Sequence, residues 1–283
     1  MRRFAVVLLL LAAVAAHAQP RDMRITRDVA YGNDPLQRFN VYAPRNAHNA
    51  PVIFMVHGGG WRDGDKAMRG AIDNKVAHWV PRGFIVISAN YRLLPTSVSE
   101  QANDVARAIA TAQQRIGEWG GDPHAFILMG HSAGAHLVAL VASSRALVSR
   151  NHVQSWRAAV ILDSAALDVP GLMQQRHLPL YDAAFGSDAA TWRALSPQDV
   201  LDGARPPMML ICSSRRREST DHAHAFAAKA TRLGTRVVVR EEERSHREIN
   251  VDLGLENGYT EAVDEFIETA GGPPAAGPRA RTR

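Results

Sequence analysis

Five continuous apolar runs, at 52–56, 84–88, 125–129, 158–162 and 208–211, constrain the fold more than any other feature of the chain. None alternates strictly with polar residues. A strand with one wet face would alternate. A strand that is apolar throughout must be covered on both faces, as in a parallel sheet between helix layers. Helix-period segments lie between the runs. The clearest spans 101–119, where Val105, Ile109, Ala112, Ile116 and Trp119 recur at spacings of three and four and form one buried stripe. Segments 65–80, 132–143, 219–233 and 260–270 read as further helices. Strands alternating with helices predict a right-handed α/β sheet. Segments 24–30 and 37–42 have no helix between them, which predicts an antiparallel hairpin at a sheet edge, joined through Gly32-Asn33-Asp34-Pro35.

The two ends of the chain are read apart from the fold. Arg2 and Arg3 precede an apolar run at 4–16 and then Ala16-His17-Ala18. A charged start, an apolar middle and an A-x-A site predict a secretory signal over 1–18, cleaved after Ala18. The run is short of the roughly 20 apolar residues that span a bilayer, so no stable membrane insertion is expected. Export to the periplasm or beyond follows from this reading. Segment 271–283 is rich in Gly, Pro and Ala and is expected to be disordered. Between them, 19–270 is long enough for one sizeable core. Cys212 is the only cysteine, so stability must come from packing rather than an internal disulfide. The formal charge of +5 comes from Arg2 and Arg3 and from Arg279, Arg281 and Arg283, which leaves the body near neutral. No basic stripe with interleaved aromatics exists, which argues against a nucleic-acid partner.

The run at 125–129 leads directly into Gly130-His131-Ser132-Ala133-Gly134 and then an apolar segment at 135–141. That is a strand, a sharp turn with serine at its apex, and a helix. The turn lifts the hydroxyl clear of the sheet beside the first amides of a helix, where negative charge is favoured. Ser132 is therefore the candidate nucleophile. A second motif, His57-Gly58-Gly59-Gly60-Trp61, ends the first core run. Acyl transfer needs bare backbone amides aimed at the oxygen that becomes negative. Gly59 and Gly60, with Ala133 after the nucleophile, are the candidate oxyanion donors, and Gly58 follows them closely. Neither G-x-G-x-x-G nor G-x-x-x-x-G-K-[ST] is present, so nucleotide binding has no motif.

With these pieces on the page, the chain resembles the α/β-hydrolase fold. Within it, it resembles esterases similar to hormone-sensitive lipase and feruloyl-esterase-like carboxylesterases. The resemblance runs from about 41 to 267 and rests on HGGGW at 57–61, Gly64-Asp65-Lys66, Asn90-Tyr91-Arg92-Leu93, Asp104, Gly121-Asp122-Pro123 and GHSAGAHL at 130–137. It implies a mostly parallel central sheet with helices on both faces, hydrolysis of a small-molecule carboxylic ester through an acyl-enzyme, and no metal or organic cofactor. It also implies that Tyr91, Arg92 and Asp104 brace loops behind the site. HGGGW with Gly-Asp-Lys and GHSAGAHL also resembles kynurenine formamidases, which makes an arylformamidase-type amide hydrolase the runner-up. A non-catalytic binding protein on the same fold is the alternative of a different class.

Serine needs a base, and the fold's chain order puts the acid and then the histidine downstream of it. His246, in a loop after the strand-like 236–240, is the candidate base. His222 and His224, two apart on the preceding helix, make a poor metal pair. The acid is expected in the loop after 208–211, where Glu218 is the first carboxylate and the choice, with Asp221 and Asp163 as alternatives. Many relatives carry G-x-x-D there, whereas this chain has Ser213 and three arginines. Finally, 168–201 breaks the rhythm with Pro170, Pro179 and Pro197 among Leu172, Met173, Leu178, Leu180, Tyr181, Phe185 and Trp192. An irregular, partly apolar insertion of this size predicts a small cap over the site, with simple packing as the alternative.

Overall fold

The computed structural model describes residues 22–270. The expected signal at 1–18 and tail at 271–283 lie outside the described residues. Eight strands form one sheet in the order β1-β2-β4-β3-β5-β6-β7-β8. They are β1 (Met23–Ala30), β2 (Arg38–Pro44), β3 (Ala50–Val56), β4 (Ile85–Ala89), β5 (Gly121–His131), β6 (Ala158–Leu162), β7 (Met208–Ser213) and β8 (Val237–Glu242). β1 and β2 form the expected edge hairpin, β2 pairs antiparallel with β4, and the pairings from β4 to β8 are parallel.

The unbroken apolar runs have a direct cause in the packing. Val52, Phe54 and Val56 of β3 enter one core, while Ile53 and Met55 enter a second core on the other face. β5 divides likewise, Phe126 and Leu128 against Ile127 and Met129. The first core is closed by α2 (Val98–Arg115), α3 (Ala133–Ser143) and α9 (Arg217–Arg232). The second is closed by α1 (Arg69–Trp79), α10 (His246–Val251) and α11 (Gly258–Thr269). α4 (Arg145–Arg150) follows α3 on the first side. α2 starts at a capping box in which Ser97 accepts from the Glu100 amide and Glu100 reaches back to the Ser97 amide. It tightens at its end into a 3-10 turn at Ile116–Trp119, so the predicted helix over 101–119 is two elements.

Segment 168–201 contains four short helices, α5 (Val169–Met173), α6 (Pro179–Phe185), α7 (Ala189–Ala194) and α8 (Pro197–Val200). Asp168, Asp188 and Ser196 cap three of them, and proline sits in the first turn of α5, α6 and α8, where its missing N–H costs nothing. The prolines that looked like breaks are therefore helix starts.

Candidate active site

The site gathers at the C-terminal ends of the parallel strands. Ser132 follows β5 and precedes α3, with φ +56° and ψ −119°. A non-glycine residue held there is strained, and its surroundings must enforce the conformation. They do so by close packing. A Cβ on Gly134 would stand 2.3 Å from the His57 carbonyl and 2.4 Å from that of Val56, so α3 lies directly on the end of β3. The Ser132 amide donates to Leu162 O at 2.9 Å, which ties the turn to β6.

His246 Nε2 lies 2.9 Å from Ser132 Oγ. The other ring nitrogen, Nδ1, lies 2.6 Å from Asp163 Oδ2. Two lone pairs would repel at that distance, so the proton is assigned to Nδ1, which leaves Nε2 as an acceptor facing the serine hydroxyl. Asp163 is the residue after β6 and is fully buried. Its Oδ1 accepts from the Ser213 amide at 2.9 Å and from the Ser219 hydroxyl at 2.5 Å. Its Oδ2 accepts from Arg216 Nη1 at 2.7 Å as well as from the imidazole. Burial alone would raise the carboxyl's pKa. The His246 bond, the Arg216 cation and the Ser213 and Ser219 donors overcome that and hold it well below the usual carboxylate range.

The expected partnership of His246 with Glu218 is corrected by this geometry. Glu218 is exposed in the first turn of α9, and Asp163 occupies the place beside Nδ1. Asp221 is likewise turned away, toward Arg217. β6 and β7 are parallel neighbours in register, Leu162 opposite Ile211, so their ends reach the same height and either can offer an acid. His246 itself is not in a loop but opens α10. Ser245 caps that helix and forms a box with Glu248, a signal readable as Ser-x-x-Glu in the sequence.

Two buried residues outside the sequence expectations hold this helix. His131 Nε2–H donates to the His246 carbonyl at 2.8 Å, with the two rings 4.5 Å apart. Burial pushes the His131 pKa down to about 3, so it is neutral. Lys75 on α1 donates to Asn250 O at 2.6 Å and to Asn250 Oδ1 at 3.0 Å. Burial lowers its pKa to about 7.

A cavity of about 280 Å³ opens over the serine. Its lining includes Gly60, Trp61, Ser132, Ala133, Asp163, Leu178, Leu180, Tyr181, Arg216 and His246. The amides of Gly59, Gly60 and Ala133 find no acceptor among the described residues. Gly60 and Ala133 line the cavity. Gly59 does not; at φ +124° it makes a turn whose carbonyl accepts from Arg62 N and Asp63 N. A larger hollow of about 500 Å³ lies near the start of β3, beside Asp22, His48 and Pro81, away from the Ser132–His246 pair.

Segment 168–201 contributes Leu178, Leu180 and Tyr181 to the cavity wall and also packs against the core. Trp61 Nε1–H donates to His136 Nδ1 at 3.3 Å, and His136 Nε2–H donates to Leu195 O at 2.8 Å. The Trp61 ring lies 4.9 Å from that of Phe185 and 6.0 Å from that of Tyr181. Behind the site, Arg92 pairs with the buried Asp104, and Tyr91 stacks on His57 at 4.7 Å, which fits their bracing role. His224 pairs with Glu241 on the surface, and His222 accepts from the Asp168 amide.

A mostly parallel sheet carrying a strained serine after β5 and a histidine after β8 defines an α/β-hydrolase fold. Solved structures agree. Esterase B of Lactobacillus rhamnosis superposes with a TM-score of 0.70 at 24% identity, covering 88% of this chain and 85% of that one. Esterase 2 of Thermogutta terrifontis gives 0.71 at 20% identity, covering 90% and 97%. The sequence pattern of the BD-FAE family matches residues 39–217, and the chain belongs to that family. A probable isoprenylcysteine alpha-carbonyl methylesterase of Oryza sativa subsp. japonica is 35% identical over 264 residues, covering 86% of this chain. The chain spans 63% of that relative's length. A probable carboxylic ester hydrolase, LipM, of Mycobacterium tuberculosis is 34% identical over 135 residues, covering 43% of this chain and 30% of LipM.

Proposed function

We propose that the protein is an exported serine carboxylesterase acting on small or aromatic esters. The observation that carries this reading is the 2.9 Å approach of His246 Nε2 to Ser132 Oγ beside amides without acceptors. Ser132 Oγ attacks the ester carbonyl while Nε2 takes its proton. Asp163 keeps the proton on Nδ1 and stabilises the imidazolium. The Gly60 and Ala133 amides hold the oxyanion, an interaction worth about 3 kcal/mol of barrier per donor. The tetrahedral intermediate collapses, the alcohol leaves with the proton from Nε2, and water releases the acid from the acyl-enzyme by the same steps. The relatives named as ester hydrolases support the reaction class.

The test is turnover of 4-nitrophenyl acetate, butyrate and octanoate and of a feruloyl ester, with fluorophosphonate labelling of Ser132 and formylkynurenine as the amide control. No turnover and no label in folded protein refutes the reading. Faster turnover of the amide than of every ester selects the formamidase alternative instead. Export is tested separately by the N-terminal mass of protein recovered from outside the cytoplasm, expected to begin at Gln19.

A further inference from the structure

The charged groups of the cavity are not equally available to a ligand. Asp163 is fully buried, and its two oxygens already accept from Ser213, Ser219, Arg216 and His246. Arg216 keeps a quarter of its side chain exposed and lines the cavity. Only its Nη1 is engaged, on Asp163 and against His246 Nδ1 at 2.8 Å. That second contact sets donor against donor and is no hydrogen bond. Nε and Nη2 pair with no carboxylate or carbonyl among the described residues, so the side edge of the guanidinium holds no anion. This is the edge that pairs with a carboxylate through two parallel N–H···O bonds. Tyr181 shares the wall, and its hydroxyl stands within side-chain hydrogen-bonding reach of Arg216, a neutral oxygen where a carboxylate would bring charge. Glu218 is the nearby acid of α9, and it forms no ion pair among the described residues that would occupy Arg216. Leu178, Leu180, Ala165 and Ala166 supply apolar wall around this cation.

We propose that Arg216 is a specificity residue that selects esters bearing a carboxylate one imidazole width from the scissile bond. The substrate class is then a hemiester of a short dicarboxylic acid, or an ester of a hydroxy acid, with an apolar spacer. This rests on the esterase reading above, and the experiment separates the two.

Two pairs of probes place the charge on opposite halves of the ester. Mono(4-nitrophenyl) glutarate is compared with 4-nitrophenyl pentanoate, and 3-acetoxybenzoate with 3-methylphenyl acetate. Each kcat/KM is divided by the ester's rate with hydroxide, and the anionic-to-neutral ratio is the readout. A loss of triad geometry in a variant cancels in that ratio. In the native protein at least one pair should give fivefold or more in favour of the anion. Arg216→Met should bring that ratio to about one. Arg216→Lys, which keeps the pairing charge without the fork, should fall between. Ratios below fivefold in both pairs, or a ratio that Arg216→Met leaves unchanged, overturn the proposal. If no ester turns over, the esterase reading fails instead, and a binding measurement decides the inference. Glutarate should raise the melting temperature of Ser132→Ala and leave that of Ser132→Ala/Arg216→Met unmoved. The reverse, or no shift in either, rejects the carboxylate site.

Discussion

Asp163→Asn tests the site most sharply, because the substitution keeps the shape and changes one acceptor into a donor. With the amide oxygen in the Oδ1 position, the NH2 faces His246 Nδ1. The ring must then present a lone pair there and carry its proton on Nε2, where it cannot receive the serine proton. A wrong tautomer of this kind costs about 10⁴ in kcat in a serine protease. The amide can instead flip, which restores an acceptor to Nδ1 and sets NH2 against the Ser213 amide. Ser219 adapts by rotating its hydroxyl, so one buried clash remains, about 1–3 kcal/mol. Loss of the charge on the bond to the imidazolium adds about 1.5–3 kcal/mol. The flip therefore limits the damage, and kcat should fall by roughly 10²–10⁴, at 1.36 kcal/mol per decade. Hydrolysis of 4-nitrophenyl butyrate and the rate of fluorophosphonate labelling should fall together, with the near-UV spectrum unchanged. Glu218→Gln should stay within about twofold of the native rate, as expected of a surface change. A folded Asp163→Asn within fivefold of native, or a larger loss in Glu218→Gln, refutes the assignment.

Three further outcomes are expected. Lys75 has a folded pKa of about 7, against about 10.4 unfolded. Between those values the unfolded chain binds a proton that the folded one lacks, so stability rises with pH across that window and the contribution is constant below it. Urea unfolding at pH 7 and pH 10 should show a rise of roughly 3–5 kcal/mol in the native protein relative to Lys75→Met; equal pH slopes would disprove it. Gly134→Ala drives a Cβ against two backbone carbonyls, whereas Gly117 has open space around it and no positive φ. The first should cost at least about 1–3 kcal/mol in thermal unfolding, and Gly117→Ala should be near neutral. His136→Leu leaves the Trp61 indole N–H and the Leu195 carbonyl without their partner, a loss of about 2–4 kcal/mol. Hydrogen exchange should quicken in 169–200 while β3 and β5 stay protected, and uniform protection would show that the bridge does not hold the cap.

The parallel sheet was legible because both faces of its strands are covered, so β3 through β7 each contain an unbroken apolar run. Ser132 was legible because a strand, a glycine-flanked turn and a helix leave little else for the segment to be. The candidacy of His246 followed from chain order and from its place just after the last strand. The acid did not, because order names the loop after β7 while the ends of β6 and β7 stand side by side. Only in the fold does Asp163 reach the ring while Glu218 is exposed. His131 and Lys75 were illegible for a related reason. Their partners are carbonyls and an amide more than a hundred residues away, and no local pattern encodes such contacts.

The proposed base rides on a helix fastened to parts of the chain made much earlier. α10 is held by Lys75 from the first third and by His131 from the middle, and Tyr259, which follows it, adds a bond from its hydroxyl to Ile249 O. A growing chain that has already presented Ser132 therefore still lacks the imidazole proposed to activate it. On the proposed mechanism, a copy that stops short of α10 would fold its serine turn and still turn over no ester.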